Sequence, residues 1–410
     1  MGECLRSLVA QAEPGWTLPA WTLEHHREDT APGAEWEVLV INDASTDQTR
    51  EIAAGFAGVT VMDAPKLEKG WTGKTNACWA GAQIARGKWL LFTDADTVHG
   101  PAEPAAGVTG TPNPLRLAII EAERHEVGML SYSPRQIVRG LAQRALMPLV
   151  FADLAATYTP AKVSDPASRV AAANGQFLLV RRDVYDKIGG HAAVKGAVLE
   201  DVELASLVKR RKLGLRFRYA PEAVSARMYR SLGAMVEGWT KNLALLFGNA
   251  PMLAGMKLLQ LGVLVGVPAL IGFLWWLRTG HPGMNTGVLG TPMATAALVL
   301  VWVRALWGLY GRVAKSNFPF GDCLLAPLGI PLYAWLLWRS WFRVTVLKQV
   351  VWKGREQKIA GSLWPVAKTR ANGEQKAIRE KRFAKSCYRN SGKNERAASE
   401  ERVEGEQRAE

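Results

Sequence analysis

The chain of 410 residues lacks the features that mark secreted and zinc-binding proteins. Its four cysteines, Cys4, Cys78, Cys323 and Cys387, lie far apart with no CxxC pair, which argues against a zinc site and a disulfide framework. The first residues, MGECLRSLVAQ, hold too short an apolar run for a secretory signal, and no small-residue cleavage site follows. We therefore expect a reducing cytoplasmic setting, with membrane insertion through later segments.

Acidic residues are in the minority, since 51 Lys and Arg against 37 Asp and Glu give a formal net charge of +14. The basic residues do not form one aromatic-studded face of the kind that binds nucleic acid. They cluster beside apolar segments and towards the C-terminus, where the positive-inside rule and anionic headgroups favour them. The bilayer is the expected partner, and nucleic acid is not.

Long apolar runs are absent before residue 250 and dominate the sequence from Leu253 to Leu347. A membrane-spanning helix needs about 20 mostly apolar residues. Three segments are candidates: Leu253–Leu277, Met293–Tyr310 with Arg304 inside it, and Cys323–Trp338 with Pro327 and Pro331 inside it. Only the first meets the requirement comfortably, and the other two could instead be re-entrant or interfacial helices. We predict an α/β domain over 1–250, a membrane region over 251–347 with two or three transmembrane helices, and a charged, disordered tail over 348–410.

Within the first 250 residues, short apolar runs end in acidic or polar residues. EWEVLVIND and GKWLLFTDAD read as strands, the helical stretch TNACWAGAQIA lies between them, and NGQFLLVRR reads as a third strand before a helix beginning near Asp183. This order is typical of a parallel α/β sheet. Ligands bind at the carboxyl ends of such strands, so Asp43, Asp94 and Asp96 lie where chemistry is expected.

The DAD sequence, Asp94 to Asp96, is the strongest single motif. Two carboxylates at i and i+2 on a chain leaving a strand can both reach one hard cation, which can hold a diphosphate. A lone DxD most often marks a solvated turn, but its position after a buried strand favours a metal site at Asp94 and Asp96.

Two further motifs could contact a nucleotide. Asp43, in NDASTDQT, can accept hydrogen bonds from a base or ribose, although Ser45 or Asp47 of the same motif also suits a helix cap. Lys74, in GWTGKTNA, could place its ammonium near a phosphate, although a solitary Lys is more often a surface charge.

The sequence VLEDVELA places the adjacent acids Glu200 and Asp201 at the start of a predicted helix. Repulsion between them can raise one pKa towards a range useful for a general base. Acids are also common in a first turn simply because of the helix dipole.

The stretch from Ile137 to Tyr158 combines Arg139 and Arg144 with apolar residues at helical spacing. A basic amphipathic helix of this kind could lie at a membrane interface and help to present a lipid. An ordinary core-facing helix fits the same pattern.

The order NDASTD, GK, DAD, NGQFLLVRRDVYDKIGGH, EDVELA closely resembles the family 2 glycosyltransferases over roughly residues 36–250. EGWTKN and WKGR, which flank the apolar region, resemble the membrane-anchored branch associated with hopanoid and carotenoid glycosylation. The resemblance implies a GT-A (Rossmann-like) nucleotide-sugar-binding domain followed by C-terminal transmembrane helices. It also implies Asp43 on the nucleotide, Asp94 and Asp96 on a divalent metal, Mg or Mn, that holds the diphosphate, and Asp201 as the base of an inverting transfer.

Two departures from the family pattern stand out. The usual first strand, roughly VSVIIPARNE, is missing before CLRSLVAQ, and residues 12–35, with His25 and His26, look like an insertion. No QxxRW motif follows EDVELA, which counts against a processive polysaccharide synthase. We expect a multi-pass cell-membrane enzyme whose cytoplasmic domain moves a sugar from a UDP- or GDP-sugar to a membrane lipid. The alternative is a catalytically silent membrane protein that keeps a truncated GT-A fold as an interaction surface.

Overall fold

The computed structural model describes residues 1–12, 36–100, 113–280, 291–352 and 355–358. His25 and His26, nearly all of the 12–35 stretch and most of the 348–410 tail lie outside the described residues. The predictions for those segments therefore remain predictions.

The described residues up to 250 alternate short strands with helices. The strands are β1 Val38–Asn42, β2 Val59–Asp63, β3 Trp89–Phe92, β4 Thr97–His99, β5 Met129–Ser133, β6 Arg135–Gln136, β7 Leu178–Arg181, β8 Leu215–Tyr219 and β9 Val224–Ala226. The helices are α1 Gly2–Val9, α2 Thr49–Ala54, α3 Gly73–Ile84, α4 Pro114–Arg124, α5 Gly140–Thr157, α6 Pro160–Ser164, α7 Arg182–Ile188, α8 Glu200–Arg210 and α9 Leu232–Leu246. The three predicted strands and the helix between the first two are confirmed.

The C-terminal part is almost entirely helical. It contains α10 Ala250–Gly280, α11 Pro292–Val313, α12 Phe320–Cys323, α13 Ala326–Trp341, a π-helical turn Phe342–Val346 and the hairpin β10 Gln349–Trp352 with β11 Arg355–Lys358.

The strands form a mixed arrangement rather than one parallel sheet. β1 pairs with β2 in parallel, while the central four-stranded sheet has the order β3-β7-β5-β8, with β3 and β5 antiparallel to β7 and β8 parallel to β5. The expectation of an all-parallel sheet is therefore wrong. The third predicted strand, β7, enters the sheet between β3 and β5, which brings the NGQ sequence before β7 beside the TDAD sequence after β3.

The Ile137–Tyr158 stretch forms α5, and its middle is buried. Leu146, Leu149 and Val150 are at most 1% exposed and pack in one apolar cluster with α9, α10 and α13. In the structure this helix is thus a core element of the described residues, as its apolar spacing allowed.

The third apolar segment, Cys323–Trp338, also contributes to that cluster. Most of it forms α13, in which Ile330, Tyr333 and Leu337 are fully buried against α5 and α9. Close packing depends on Gly329, where an added Cβ would lie 2.3 Å from the backbone oxygen of Ala145. The helix is 16 residues long and packs against α5, α9 and α10.

Two helices are long and apolar enough to cross a membrane, judged by length and composition. They cover Ala250–Thr279 and Pro292–Ser316, and only 6% of the apolar window of each is buried within the protein. The first is joined to α5 near its start, where Lys257 Nζ lies 2.9 Å from Asp153 Oδ2 and both side chains are largely buried. This buried ion pair fixes the beginning of α10 against the domain.

Candidate active site

Lys74 lies in the first turn of α3, at a start that is well defined by hydrogen bonds. The hydroxyl of Thr72 accepts a hydrogen bond from the backbone N–H of Thr75, and the Thr75 hydroxyl accepts one from the backbone N–H of Thr72, which forms a capping box. The backbone carbonyl of Lys195 accepts a bond from the Thr75 hydroxyl as well. This reciprocal cap fixes the helix end and, with it, the direction in which Lys74 leaves the backbone.

The ammonium of Lys74 joins two acidic motifs that are far apart in the sequence. Its Nζ lies 2.8 Å from Asp94 Oδ1 in the DAD motif and 2.8 Å from Glu200 Oε1 in the EDVELA motif. Burial alone would lower the pKa of Lys74, but Asp94, Glu200 and Asp201 together hold it well above its usual value. Lys74 is therefore a permanent cation between the two acidic motifs.

Asp201 lies beside this cation and is oriented by backbone groups. Its Oδ2 accepts a hydrogen bond from the N–H of Gly175 at 2.7 Å, and its Oδ1 accepts one from the N–H of Val202 at 2.8 Å. An added Cβ at Gly175 would lie 3.0 Å from Lys74 Nζ and 3.4 Å from Asp201 Oδ2, so the NGQ glycine is a close-approach position. The strand order places it there, because β7 follows NGQ.

Burial, followed by the charge of the neighbouring Glu200, raises the pKa of Asp201 to about 6. Burial would also raise the pKa of Glu200, but the ion pair with Lys74 holds that pKa below its ordinary value. The pKa values of the two adjacent acids therefore differ, because that of Asp201 is raised and that of Glu200 is lowered. The expected direction of the Asp201 shift is found, with burial as the larger cause and repulsion as the smaller one.

Asp94 and Asp96 leave the end of β3 in a turn with several hydrogen bonds. The Thr97 hydroxyl donates to the carbonyl of Asp94 at 2.7 Å, and the Thr93 hydroxyl donates to the carbonyl of Gln176 at 2.8 Å. Burial, followed by the charge of Asp94, raises the pKa of Asp96 to about 6. The turn therefore holds two carboxylates near each other, and a bound cation would offset their electrostatic repulsion.

The carboxylates of the DAD motif suit a hard divalent cation. The Oδ1 atom of Asp96 is buried without a hydrogen-bond partner, and carboxylate oxygens are what Mg or Mn prefers. Across the described ranges, no group of three or more His, Cys, Asp or Glu side chains could hold a metal without other ligands. The residues fit a cation that takes its remaining ligands from a diphosphate and water, as Mg commonly does.

Asp43 follows β1, which pairs with β2, whereas the DAD motif follows β3, which pairs with β7. The two strand ends thus belong to different sheets. Asp43 is half-buried, and the preceding Asn42 donates a hydrogen bond to Asp63 at 2.9 Å. Asp47 accepts a bond from the N–H of Thr49 at the start of α2, but the N-cap residue is Gln48, so the predicted N-cap by Ser45 or Asp47 is wrong. The role of Asp43 on the nucleotide remains a prediction.

Sequence reasoning missed three contributors to the site. Glu200 was considered only as a partner of Asp201, yet it forms the ion pair with Lys74. Gly175 was read only as part of a strand, and Lys241, in EGWTKN, was not singled out. Burial lowers the pKa of Lys241, with the charges of Glu200 and Asp201 acting against that fall, so this lysine lies within electrostatic reach of the acids. Only the motif order offered a signal for these residues.

The chain was compared with known families and proteins. Residues 1–108 match the family model described as Glycosyl transferase family 2. The chain is 25% identical over 334 residues to 4,4'-diaponeurosporenoate glycosyltransferase of Staphylococcus aureus strain USA300, which covers 79% of this chain and 81% of the relative. The protein of strain MRSA252 matches with the same identity and coverage.

Among solved structures, S. aureus TarS 1–349 in complex with UDP-GlcNAc is similar with a TM-score of 0.32 and 13% identity, covering 88% of this chain and 93% of that chain. Full TarS gives a TM-score of 0.34 with 15% identity, covering 88% of this chain and 56% of that one. The family match includes β1, Lys74 and the DAD motif. Residues 1–108 are thus similar to family 2 glycosyltransferases, and most of the chain is similar to 4,4'-diaponeurosporenoate glycosyltransferase.

Proposed function

We propose that the chain is an inverting, metal-dependent glycosyltransferase that moves a sugar from a nucleotide-sugar, a UDP- or GDP-sugar, to a membrane lipid. One observation carries the proposal: Lys74 contacts both Asp94 of the DAD motif and Glu200, the neighbour of Asp201. This contact brings a donor-binding motif and a candidate base to one place, which a sugar transfer requires.

Asp201 acts as the general base in this proposal. With a pKa of about 6, its carboxylate is ionised at neutral pH and basic enough to accept a proton. The backbone N–H groups of Gly175 and Val202 fix its orientation. As the acceptor oxygen bonds to the anomeric carbon, the bond from that carbon to the diphosphate breaks, the nucleoside diphosphate leaves, and the acceptor proton passes to Asp201.

Lys74, Asp94 and Asp96 serve the donor. Asp94 and Asp96 would hold Mg or Mn, which when bound would neutralise charge on the leaving diphosphate. Lys74 supplies a second positive charge that the neighbouring carboxylates keep protonated. Asp43 is proposed to contact the nucleotide from the end of β1.

A lipid acceptor is supported by the elements that follow the domain. Two helices of membrane-spanning length and composition come directly after α9, and Lys257 pairs with Asp153 where the first of them meets the domain. The relative named for 4,4'-diaponeurosporenoate is similar over a range that includes these helices. We propose a cell-membrane protein with both helices crossing and the catalytic domain in the cytoplasm.

The direct test is to supply the full chain in phosphatidylcholine nanodiscs with labelled UDP- and GDP-sugars, Mn, and either a lipid extract or soluble sugars and proteins. Label is expected in the organic phase with one nucleotide class. Label only in aqueous products would refute the lipid acceptor. No transfer, combined with no nucleotide binding by calorimetry, would favour a catalytically silent membrane protein.

A further inference from the structure

A cavity of about 240 Å³ lies between α9 and the C-terminal end of α13 with the π-helical turn. Three cations, Lys241, Arg339 and Arg343, line it together with Glu237 and Thr240. The volume holds a small headgroup with a few water molecules, each of which takes roughly 30 Å³. The cavity is thus of a size and charge that suit an anionic group.

The wall of the cavity contains a polar atom without a partner. Thr240 is 9% exposed, and its hydroxyl is buried with no hydrogen-bond partner. Buried polar groups are normally hydrogen-bonded, and an unmet one points to a ligand or water. Three basic residues against the single acid Glu237 give the lining a net positive charge, and a hydroxyl that can donate is matched by the oxygen of a carboxylate or phosphate.

The cavity adjoins the proposed base. Val344, in the π-helical turn that includes Arg343, packs against the cluster of Val198 and Leu245, and Val198 lies two residues before Glu200. Lys241 stands on the cavity wall and also lies within electrostatic reach of both acids. A molecule held in the cavity therefore lies beside the position where an acceptor must be activated.

The outer side of the same wall is apolar. Trp335, Trp338 and Phe342 are 46%, 46% and 48% exposed, and the Arg339 guanidinium lies 5.0 Å from the centroid of the Trp335 ring. If the anionic group of an amphiphile is bound in the cavity, the hydrocarbon chain of that molecule would lie along these aromatic side chains. Surface arginines that merely meet bulk headgroups need no cavity and no buried hydroxyl.

We propose that this cavity binds the carboxylate or phosphate group of an amphiphilic acceptor, and that Arg339, Arg343 and Thr240 select for that charge. The inference rests on the proposed function, because it places the acceptor of that reaction.

The test measures binding of labelled dodecyl phosphate to the full chain in phosphatidylcholine nanodiscs, with empty nanodiscs subtracted and dodecanol as the uncharged probe. Arg339→Gln with Arg343→Gln is expected to weaken dodecyl phosphate binding about tenfold or more, since charge-assisted hydrogen bonds are lost. Thr240→Val should weaken it by a smaller factor. Arg312→Gln, which neutralises an exposed arginine of α11 outside the cavity, is the matched control and should bind as the parent does.

Equal binding by the arginine variants and the parent would overturn the proposal. Equal binding of dodecanol would overturn it as well. Complete competition by phosphatidylglycerol in the bilayer would overturn it by indicating a bulk-headgroup site. Equal competition by inorganic phosphate would overturn it by indicating a free-phosphate site. Calorimetry of nucleotide binding distinguishes a failure of this inference from a failure of the proposed function. If it persists while dodecyl phosphate fails to bind, only this inference falls, whereas its absence in the parent counts against the proposed function itself.

Discussion

The ammonium of Lys74 lies 2.8 Å from the carboxylate of Glu200. Glu200 begins α8 and is 7% exposed, so its charge is buried and needs a partner. The same lysine pairs with Asp94, so it connects the DAD motif with the helix that carries Asp201. Its removal would leave several buried negative charges without compensation.

Lys74→Met is therefore expected to lower kcat/KM about 100-fold or more, because a fixed cation is lost from the proposed diphosphate site. Steady-state kinetics of transfer would measure this loss. Lys88→Met is the matched control, since Lys88 forms only a long, exposed ion pair with Glu123, and it should stay near the parent value. A Lys74 variant with parental kcat/KM would remove the lysine from the mechanism.

Asp96→Asn should abolish the dependence of nucleotide binding on Mn while leaving the fold intact. Asp96 has a buried oxygen without a hydrogen-bond partner, so the substitution removes a proposed metal ligand rather than a core contact. Calorimetry of nucleotide binding with and without Mn is the measurement, and circular dichroism reports the fold. Asp186→Asn, on the exposed surface of α7, should retain the Mn effect. If Asp96→Asn also retained it, the metal role of Asp96 would be untenable.

The pH dependence of transfer should show an acidic limb. Since burial and Glu200 raise the pKa of Asp201 to about 6, the carboxylate is protonated below that pH and cannot accept a proton. The value of kcat/KM should fall about tenfold per pH unit below about 6 and level off above it. Asp96 has a similar pKa, but a limb due to Asp96 should move to lower pH as Mn is raised, because metal competes with protons.

The variant Glu200→Gln further distinguishes an acidic limb due to Asp201 from one due to Asp96. Loss of the Glu200 charge should move the Asp201 limb to lower pH, because that charge raises the Asp201 pKa. A limb at an unchanged pH in this variant, or one that follows only the Mn concentration, would point away from Asp201.

The helices α9 and α13 should lie on the same side of the membrane. They pack together in one apolar cluster, and the two candidate spans lie between them in the sequence, so the spans must cross as a pair. In intact cells, a membrane-impermeant maleimide should label Thr286→Cys, between the spans, and should reach Gln48→Cys in the domain only after permeabilisation. Labelling of both positions, or neither, in intact cells would contradict this topology.

Much of the site was predictable because its motifs follow from local sequence patterns. Apolar runs that end in acids predicted β1 and β3 and placed Asp43 and Asp94 at strand ends, and the EDVELA sequence predicted the start of α8. The Lys74–Glu200 pair was not predictable by the same reasoning, because it depends on β7 entering between β3 and β5. Pairing order is a tertiary property that strand periodicity does not encode.

The three apolar segments show a second limit. Composition alone makes Cys323–Trp338 resemble the other two, but Gly329 lets α13 approach α5 closely, and its buried face is covered by α5, α9 and α10. The distinction between a span and a core helix lies in what covers the apolar face, which is set by partners elsewhere in the chain.

The central claim is that Asp201 activates a lipid acceptor beside a bound nucleotide-sugar. The most direct test compares transfer of labelled sugar into the organic phase by the parent, Asp201→Asn and Glu203→Gln, a variant of the same helical turn. Asp201→Asn is expected to transfer sugar about 1,000-fold more slowly with unchanged nucleotide affinity, whereas Glu203→Gln should transfer at close to the parental rate. Transfer by Asp201→Asn at the parental rate would exclude Asp201 as the base.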